Sequence, residues 1–166
     1  LSLLSLSNSE SHNFTTEVLL RISSGTWDTR KSTEKLIPWL NSRKIPTEGI
    51  KIRDASGLSR ENKLTTDSLS SLLWYMDKSS INQYYKSTMS IIGLRGTLKE
   101  FSSSSTLYGK FHGKSGTLEG VRSVSGYLMN DDPLYISIIA NDIDEGQANS
   151  IIQRILVMIS NSNRCQ

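Results

Sequence analysis

The feature that most constrains this chain is one polar run followed by two apolar ones. Phe111-His112-Gly113-Lys114-Ser115-Gly116-Thr117-Leu118-Glu119-Gly120 sets a cation, a hydroxyl and a glycine in a row, and apolar runs follow at 121–129 and 134–140. Asn130-Asp131-Asp132-Pro133 has the residue types of a turn between them. The pattern predicts three strands, at 107–115, 121–130 and 134–141. The first reads as a sheet edge with one polar mouth, into which Lys114 and Ser115 project. Gly116 has no side chain and lets an extended ligand backbone lie close. Taken alone, Lys-Ser-Gly also suits a solvated turn.

Upstream, the periods are helical. Ser11-His12-Asn13 starts a helix through 17–22 that Gly25 ends. Thr29 or Ser32 opens a second helix carrying Leu36, Ile37, Trp39 and Leu40, with Pro38 predicting a kink. Residues 50–53 alternate as a short strand. Thr65-Thr66-Asp67 caps a third helix with Leu69, Leu72, Leu73 and Met76 on one stripe, and Ser79-Ser80 caps a fourth through Tyr85. Residues 89–111 read as irregular and include a four-serine loop at 102–105. Asp144-Glu145-Gly146-Gln147 opens a closing helix whose apolar positions are Ile151, Ile152, Ile155, Leu156 and Ile159. Helices, then a meander, then a closing helix make an α+β domain, with 1–106 mostly helical and 107–166 holding the strands and final helix.

The 166 residues suit one domain. The formal charge of +3 is spread, with no Lys/Arg run longer than two, which disfavours nucleic acid as a partner. No stretch of about 20 apolar residues is present to span a membrane. Cys165 is the only cysteine, so neither an internal disulfide nor a cysteine metal site is available. Asp131-Asp132 and Asp142-Ile143-Asp144-Glu145 lack calcium-loop spacing and are explained by a turn and a helix start. No metal or other cofactor is expected. The opening Leu1-Ser2-Leu3-Leu4-Ser5-Leu6 has neither a basic leader nor an initiator methionine, and the chain reads as the C-terminal piece of something longer.

Four blocks in order carry a family resemblance. Ser11-His12-Asn13 fits a Ser-x-Asn element, and Lys114-Ser115-Gly116 is one methyl group from Lys-Thr-Gly. Between them, Asp54-Ala55-Ser56-Gly57-Leu58-Ser59-Arg60-Glu61-Asn62 and Gly93-Leu94-Arg95-Gly96-Thr97-Leu98 complete the set. Together they resemble class C low-molecular-mass penicillin-binding proteins, which are serine-type D-alanyl-D-alanine carboxypeptidases and endopeptidases. The resemblance implies the C-terminal part of a transpeptidase-like fold, shared with serine β-lactamases. That fold cleaves peptidoglycan stem peptides by acyl transfer, is inhibited by β-lactams, and works in the periplasm or cell envelope. The family's Ser-x-x-Lys nucleophile precedes Ser-x-Asn. Ser32-Thr33-Glu34-Lys35 matches the pattern but follows it, inside a helix. The nucleophile is therefore expected upstream of this chain, which by itself should be inactive.

The resemblance also assigns roles. Ser11 relays a proton to the leaving amine, and Asn13 holds the substrate amide. Lys114 fixes the terminal carboxylate and tunes Ser11. Ser115 adds a hydrogen bond to that carboxylate, Gly116 admits the substrate backbone, and Thr117 N–H faces the oxyanion. The peptide adds as a strand along the edge. Arg60 either reads a second anionic group or pairs with Asp54 or Glu61. His12 is expected to be exposed or to support the cap, and His112 to be a packing or rim residue. Trp27, Trp39 and Trp74 read as core rather than as a sugar platform. Two other readings stay open: a serine β-lactamase relative, and a non-catalytic module that binds peptidoglycan.

Overall fold

Local chemistry sets the first helices. The computed structural model describes residues 1–101, 104–130 and 132–162. Ser102, Ser103, Asp131 and Cys165, named above, lie outside the described residues. Helix α1 (Ser2–Asn8) was not foreseen, since it has no side-chain cap and a Leu/Ser alternation unlike a helical stripe. It is held from outside, by Ser7 Oγ to Thr16 Oγ1 at 2.6 Å and Asn8 Nδ2 donating to Thr88 Oγ1 at 2.8 Å. Helix α2 (Asn13–Ser24) runs to Gly25, but its N-cap is His12, whose Nδ1 accepts from Thr15 N–H. The second predicted helix is two, α3 (Thr29–Glu34) and α4 (Leu36–Ser42), divided at Lys35. Pro38 explains the break: it lacks an N–H and crowds the carbonyl four residues back, that of Glu34. Asp28, rather than Thr29 or Ser32, caps α3 through Lys31 N–H.

Thr65 caps α5 (Thr66–Asp77) by accepting from Ser68 N–H. Helix α6 (Asn82–Ser87) has no side-chain cap, because Ser79 Oγ turns back to the Met76 carbonyl at 2.7 Å. Residues 50–53 make only a bridge, Lys51 to Lys63, rather than a strand. The closing helix α7 (Glu145–Ser162) starts with Asp144 Oδ1 accepting from Gly146 and Gln147 N–H. Ile152 and Leu156 are fully buried, whereas Ile151 faces out.

The sheet is antiparallel, in order β1 (Ser90–Ile91), β2 (Phe111–Leu118), β3 (Val121–Leu128), β4 (Leu134–Asn141). β1 is a two-residue strand within a stretch that reads as irregular. It pairs only with Gly113 and His112, so residues 114–118 of β2 have a ladder partner on the β3 side alone. One sheet face packs with α7 around Phe111, Val124, Leu128, Ile136, Ile152 and Leu156. The other packs under α5 and α6 around Leu73, Met89 and Tyr127. Alternation along β2 sends His112, Lys114 and Gly116 to one face and Gly113, Ser115 and Thr117 to the other.

Gly113 and Gly126 face each other in register because the Phe111 ring lies across them. A Cβ on Gly126 would fall 2.5 Å from Gly113 Cα and 2.9 Å from Phe111 Cζ. Gly126→Ala should therefore cost about 1–3 kcal/mol by overpacking. Urea melts read this directly, and an unchanged midpoint would show that the ring is not held there.

Candidate active site

The two ends of the sequence pattern meet. Lys114 Nζ donates to Ser11 Oγ at 2.7 Å and to its neighbour's carbonyl, Ser115 O, at 2.5 Å, joining residues 103 positions apart. Ser11 sits in the turn between α1 and α2 with φ of +56°, a left-handed backbone that a non-glycine residue rarely adopts. Such strain persists only where surrounding contacts hold it.

Those contacts come from the Gly93–Leu98 block. Ser9 O accepts from Thr97 N–H at 3.0 Å and from Ser90 Oγ at 2.8 Å. A Cβ on Gly96 would fall 2.5 Å from Ser9 O, so only glycine lets this loop close on the turn that carries Ser11. Arg95 donates to the carbonyls of Ser87 and Met89, fixing the other side of the loop. The sequence pattern alone assigns no role to Ser9, Ser90 or Thr97. Gly96-Thr97, inside one of the four family-like blocks, is the available signal.

The Asp54–Asn62 block folds by its own side chains. Asp54 Oδ1 accepts from Gly57 N–H at 2.8 Å and from Asn62 Nδ2 at 2.7 Å, while Oδ2 accepts from Ser59 N–H at 2.6 Å. Glu17, one turn after Asn13 on α2, docks this loop by accepting from Ala55 and Ser56 N–H at 2.8 and 2.9 Å. Arg60 pairs with Glu119, on the turn after β2, at 3.1 Å, and not with Asp54 or Glu61. Glu61 is instead held by Lys51 and Arg53. The Arg60–Glu119 pair is exposed and weakly bound, and it links the loop to the strand of Lys114.

Asn13 is exposed at the first turn of α2, and its amide makes no hydrogen bond among the described residues. Ser115 is buried, and its hydroxyl donates to Thr97 Oγ1 at 2.7 Å, on the face opposite Lys114. Thr117 is exposed, with its hydroxyl bonded by the Arg122 guanidinium. Arg122 is itself buried. It donates through Nε to Asn149 Oδ1 at 2.7 Å and lies 3.7 Å from Glu145. Burial, and then the nearby Arg122 charge, lower the Lys114 ammonium to about 8. Ser32 is fully buried, with Oγ 3.0 Å from Thr26 O and 2.9 Å from Asp28 O, and Lys35 Nζ donates to Ser24 O rather than to Ser32. His12 caps α2 and is exposed; His112 is half-buried on the rung beside β1.

The arrangement offers a half-desolvated amine against a hydroxyl, beside an unpaired strand edge. It can hold an anion, pass a proton through Ser11, and receive an extended chain. No group of three or more His, Cys, Asp or Glu among the described residues is placed to hold a metal ion.

Known proteins match this chain in sequence and in shape. The D-alanyl-D-alanine carboxypeptidase of Actinomadura sp. (strain R39) is 28% identical over 135 residues, which is 78% of this chain and 24% of that protein. Penicillin-sensitive carboxypeptidase A of Dictyostelium discoideum is 30% identical over 127 residues, 70% of this chain and 24% of that protein. The chain thus spans about a quarter of the length of these curated relatives. Penicillin binding protein 4 of Haemophilus influenzae, solved with a β-lactam, superposes with a TM-score of 0.79 at 22% identity, over 98% of this chain and 40% of that one. A predatory endopeptidase of Bdellovibrio bacteriovorus, acylated by penicillin G, superposes at 0.78 with 19% identity, over 98% and 45%. These two share the fold. The family model described as D-Ala-D-Ala carboxypeptidase 3 (S13) matches residues 1–162, nearly the whole chain, and the chain belongs to that family, among the low-molecular-mass penicillin-binding proteins.

Proposed function

We propose that this chain is the substrate-holding part of a serine-type D-Ala-D-Ala carboxypeptidase and endopeptidase acting on peptidoglycan stem peptides outside the cytoplasmic membrane. The observation that carries the reading is the Lys114–Ser11 hydrogen bond, which joins the first and last family blocks at one strand edge. The stem peptide adds antiparallel to residues 114–118. Its terminal carboxylate meets the Lys114 ammonium, and its backbone passes over Gly116. Asn13, whose amide is unengaged among the described residues, takes the substrate amide.

The nucleophile is a serine outside these residues. Its oxygen bonds to the carbonyl carbon of the penultimate D-alanine, and its proton passes by way of Ser11 to the leaving nitrogen. The C–N bond breaks and D-alanine departs. Water then cleaves the ester, returning the proton to the serine. Thr117 N–H stabilises the oxyanion. Ser115 reaches the carboxylate only by exchanging its bond to Thr97, and Arg60 reads a second anionic group only by leaving Glu119.

Covalent labelling tests the reading. A fluorescent penicillin should label the full-length protein through denaturing electrophoresis and leave the 166-residue chain unlabelled. Labelling of the chain itself at Ser32 would overturn the placement of the nucleophile. An unlabelled full-length protein would overturn the reaction.

A further inference from the structure

Trp27, Trp39 and Trp74, expected in the core, are 72%, 39% and 53% exposed, whereas the charged Arg122 on β3 is only 8% exposed. Among the described residues it is the one Lys or Arg that is buried. A buried charge is costly unless its donors are met. Those of Arg122 are met from α7 and from β2. Nε donates to Asn149 Oδ1 on α7 at 2.7 Å, Nη1 donates to Thr117 Oγ1 on β2, and Glu145 at the start of α7 lies 3.7 Å away. The guanidinium also lies 5.5 Å from the centroid of the Phe101 ring.

Docking α7 on the sheet accounts for the contacts with Asn149 and Glu145. It does not account for the bond to Thr117, which lies within the β2–β3 hairpin, where residues 117 and 122 already face each other in register. Thr117 sits where β2 is least held. The ladder partner there is β3 alone, the strand ends at Leu118, and the turn beyond it passes through Gly120 at a φ of +73°. The residue before it is Gly116, whose conformational freedom leaves the plane of the 116–117 peptide unfixed. That peptide carries the Thr117 N–H, which the reaction above aims at the oxyanion. Such a donor is effective only when it is already aligned as the charge develops. The Thr117 side chain points to the face opposite Lys114, while its N–H lies in the plane of the sheet. A guanidinium that grips Thr117 Oγ1 therefore fixes the rotation of the residue about the strand and leaves the substrate's side clear.

We infer that Arg122 is a positioning residue for acylation: by holding Thr117 Oγ1 from the inner face of the hairpin, it keeps the Thr117 N–H aligned on the oxyanion. The inference rests on the D-Ala-D-Ala reading above. A planar fork suits the task, because one group reaches Thr117 and Asn149 at once and in fixed directions. Its charge also reaches Lys114, where it adds to burial in weakening that amine's hold on its proton.

Stopped-flow acylation of the full-length protein by a fluorescent penicillin separates the dissociation constant of the first complex from the rate constant of acylation. Arg122→Met should lower the rate constant about tenfold to a hundredfold and leave the dissociation constant within about twofold, because the oxyanion exists only after attack. Thr117→Val keeps the N–H and removes the acceptor at an exposed residue. It should act in the same direction on the same constant, and it tests the link if Arg122→Met does not fold. Thr117→Ser, which retains a hydroxyl, should recover most of what Thr117→Val loses. The double variant Arg122→Met/Thr117→Val should be little slower than Arg122→Met alone. A lowered urea midpoint in Arg122→Met with an unchanged rate constant would reduce the residue to an anchor for α7 and overturn the inference. Additive losses, or a loss confined to the dissociation constant, would overturn it too. A full-length protein that takes no label at all defeats the D-Ala-D-Ala reading and this inference with it, whereas a labelled protein with unaffected variants defeats the inference alone.

Discussion

Lys114→Met in the full-length protein should slow acylation by a fluorescent penicillin about 10²–10⁴-fold, the range for removing a positioned proton-transfer group. Ser11→Ala should fall in the same range. The two together should lose little more than either, because they act through one hydrogen bond. An additive double variant would separate them into independent roles. The amine also leaves a mark on stability. Burial and Arg122 lower it to about 8, against 10.5 for an ordinary lysine. The unfolded chain therefore binds more protons than the folded one between those two values, and stability should rise as pH climbs through that window. Below about 8 the folded state carries the full cost of a desolvated ammonium. Denaturant melts of the 166-residue chain from pH 7 to 10.5 should show the rise, and Lys114→Met should abolish it.

The second large effect lies beneath the same sheet face. Lys86→Met should destabilise the chain by about 3 kcal/mol, since it leaves the buried Asp77 carboxylate with only the more exposed Lys78, 3.4 Å away, as a counter-charge. Asp77 and Lys86 have side chains only 9% and 11% exposed and are directly hydrogen-bonded. Tyr135 Oη donates to Asp77 Oδ2 at 2.8 Å, and the Lys86 ammonium lies 4.9 Å from the Tyr127 ring centroid. One cluster thereby ties α5 and α6 to β3 and β4. Burial pushes the Asp77 carboxyl up, but the bonds from Lys86 and Tyr135 outweigh it and hold it below the usual 3.8. A carboxyl so depressed stabilises the fold above its unfolded value, and that contribution is lost as pH falls below about 3.8. Lys86→Met should flatten this acid limb. The double variant Asp77→Asn/Lys86→Met should recover part of the loss, because no charge is then left unpaired. Equal stability of the single and double variants would remove the pair as the cause.

Period and turn chemistry made the last two strands and the closing helix legible, whereas the strand expected at 107–115 runs from Phe111 to Leu118, after a turn at 107–110. Residues 134–141 are β4 as expected, and Asp144 opens the last helix. The meeting of Ser11 and Lys114 was legible only through the order of the family blocks, since nothing in spacing relates residues so far apart. The misses share a cause. Helix α1 and strand β1 are short elements that exist because other parts hold them, as Asn8 to Thr88 and Ser90 to Ser9 show. His12 caps α2 because Ser11 is turned into the left-handed region and committed to Lys114. The tryptophans were assigned to core from residue type, yet the core between sheet and helix is already filled by Phe111, Leu128, Ile152 and their neighbours.

β1 stops after Ile91, and the consequence reaches past recognition. A strand edge without a ladder partner zips with extended segments that arrive, including the same edge on a second molecule, once Ser115 O gives up its bond to Lys114. The half-buried ammonium at its start and the turn charges of Glu119 and Arg60 at its far end then act as gatekeepers that discourage fibrous growth.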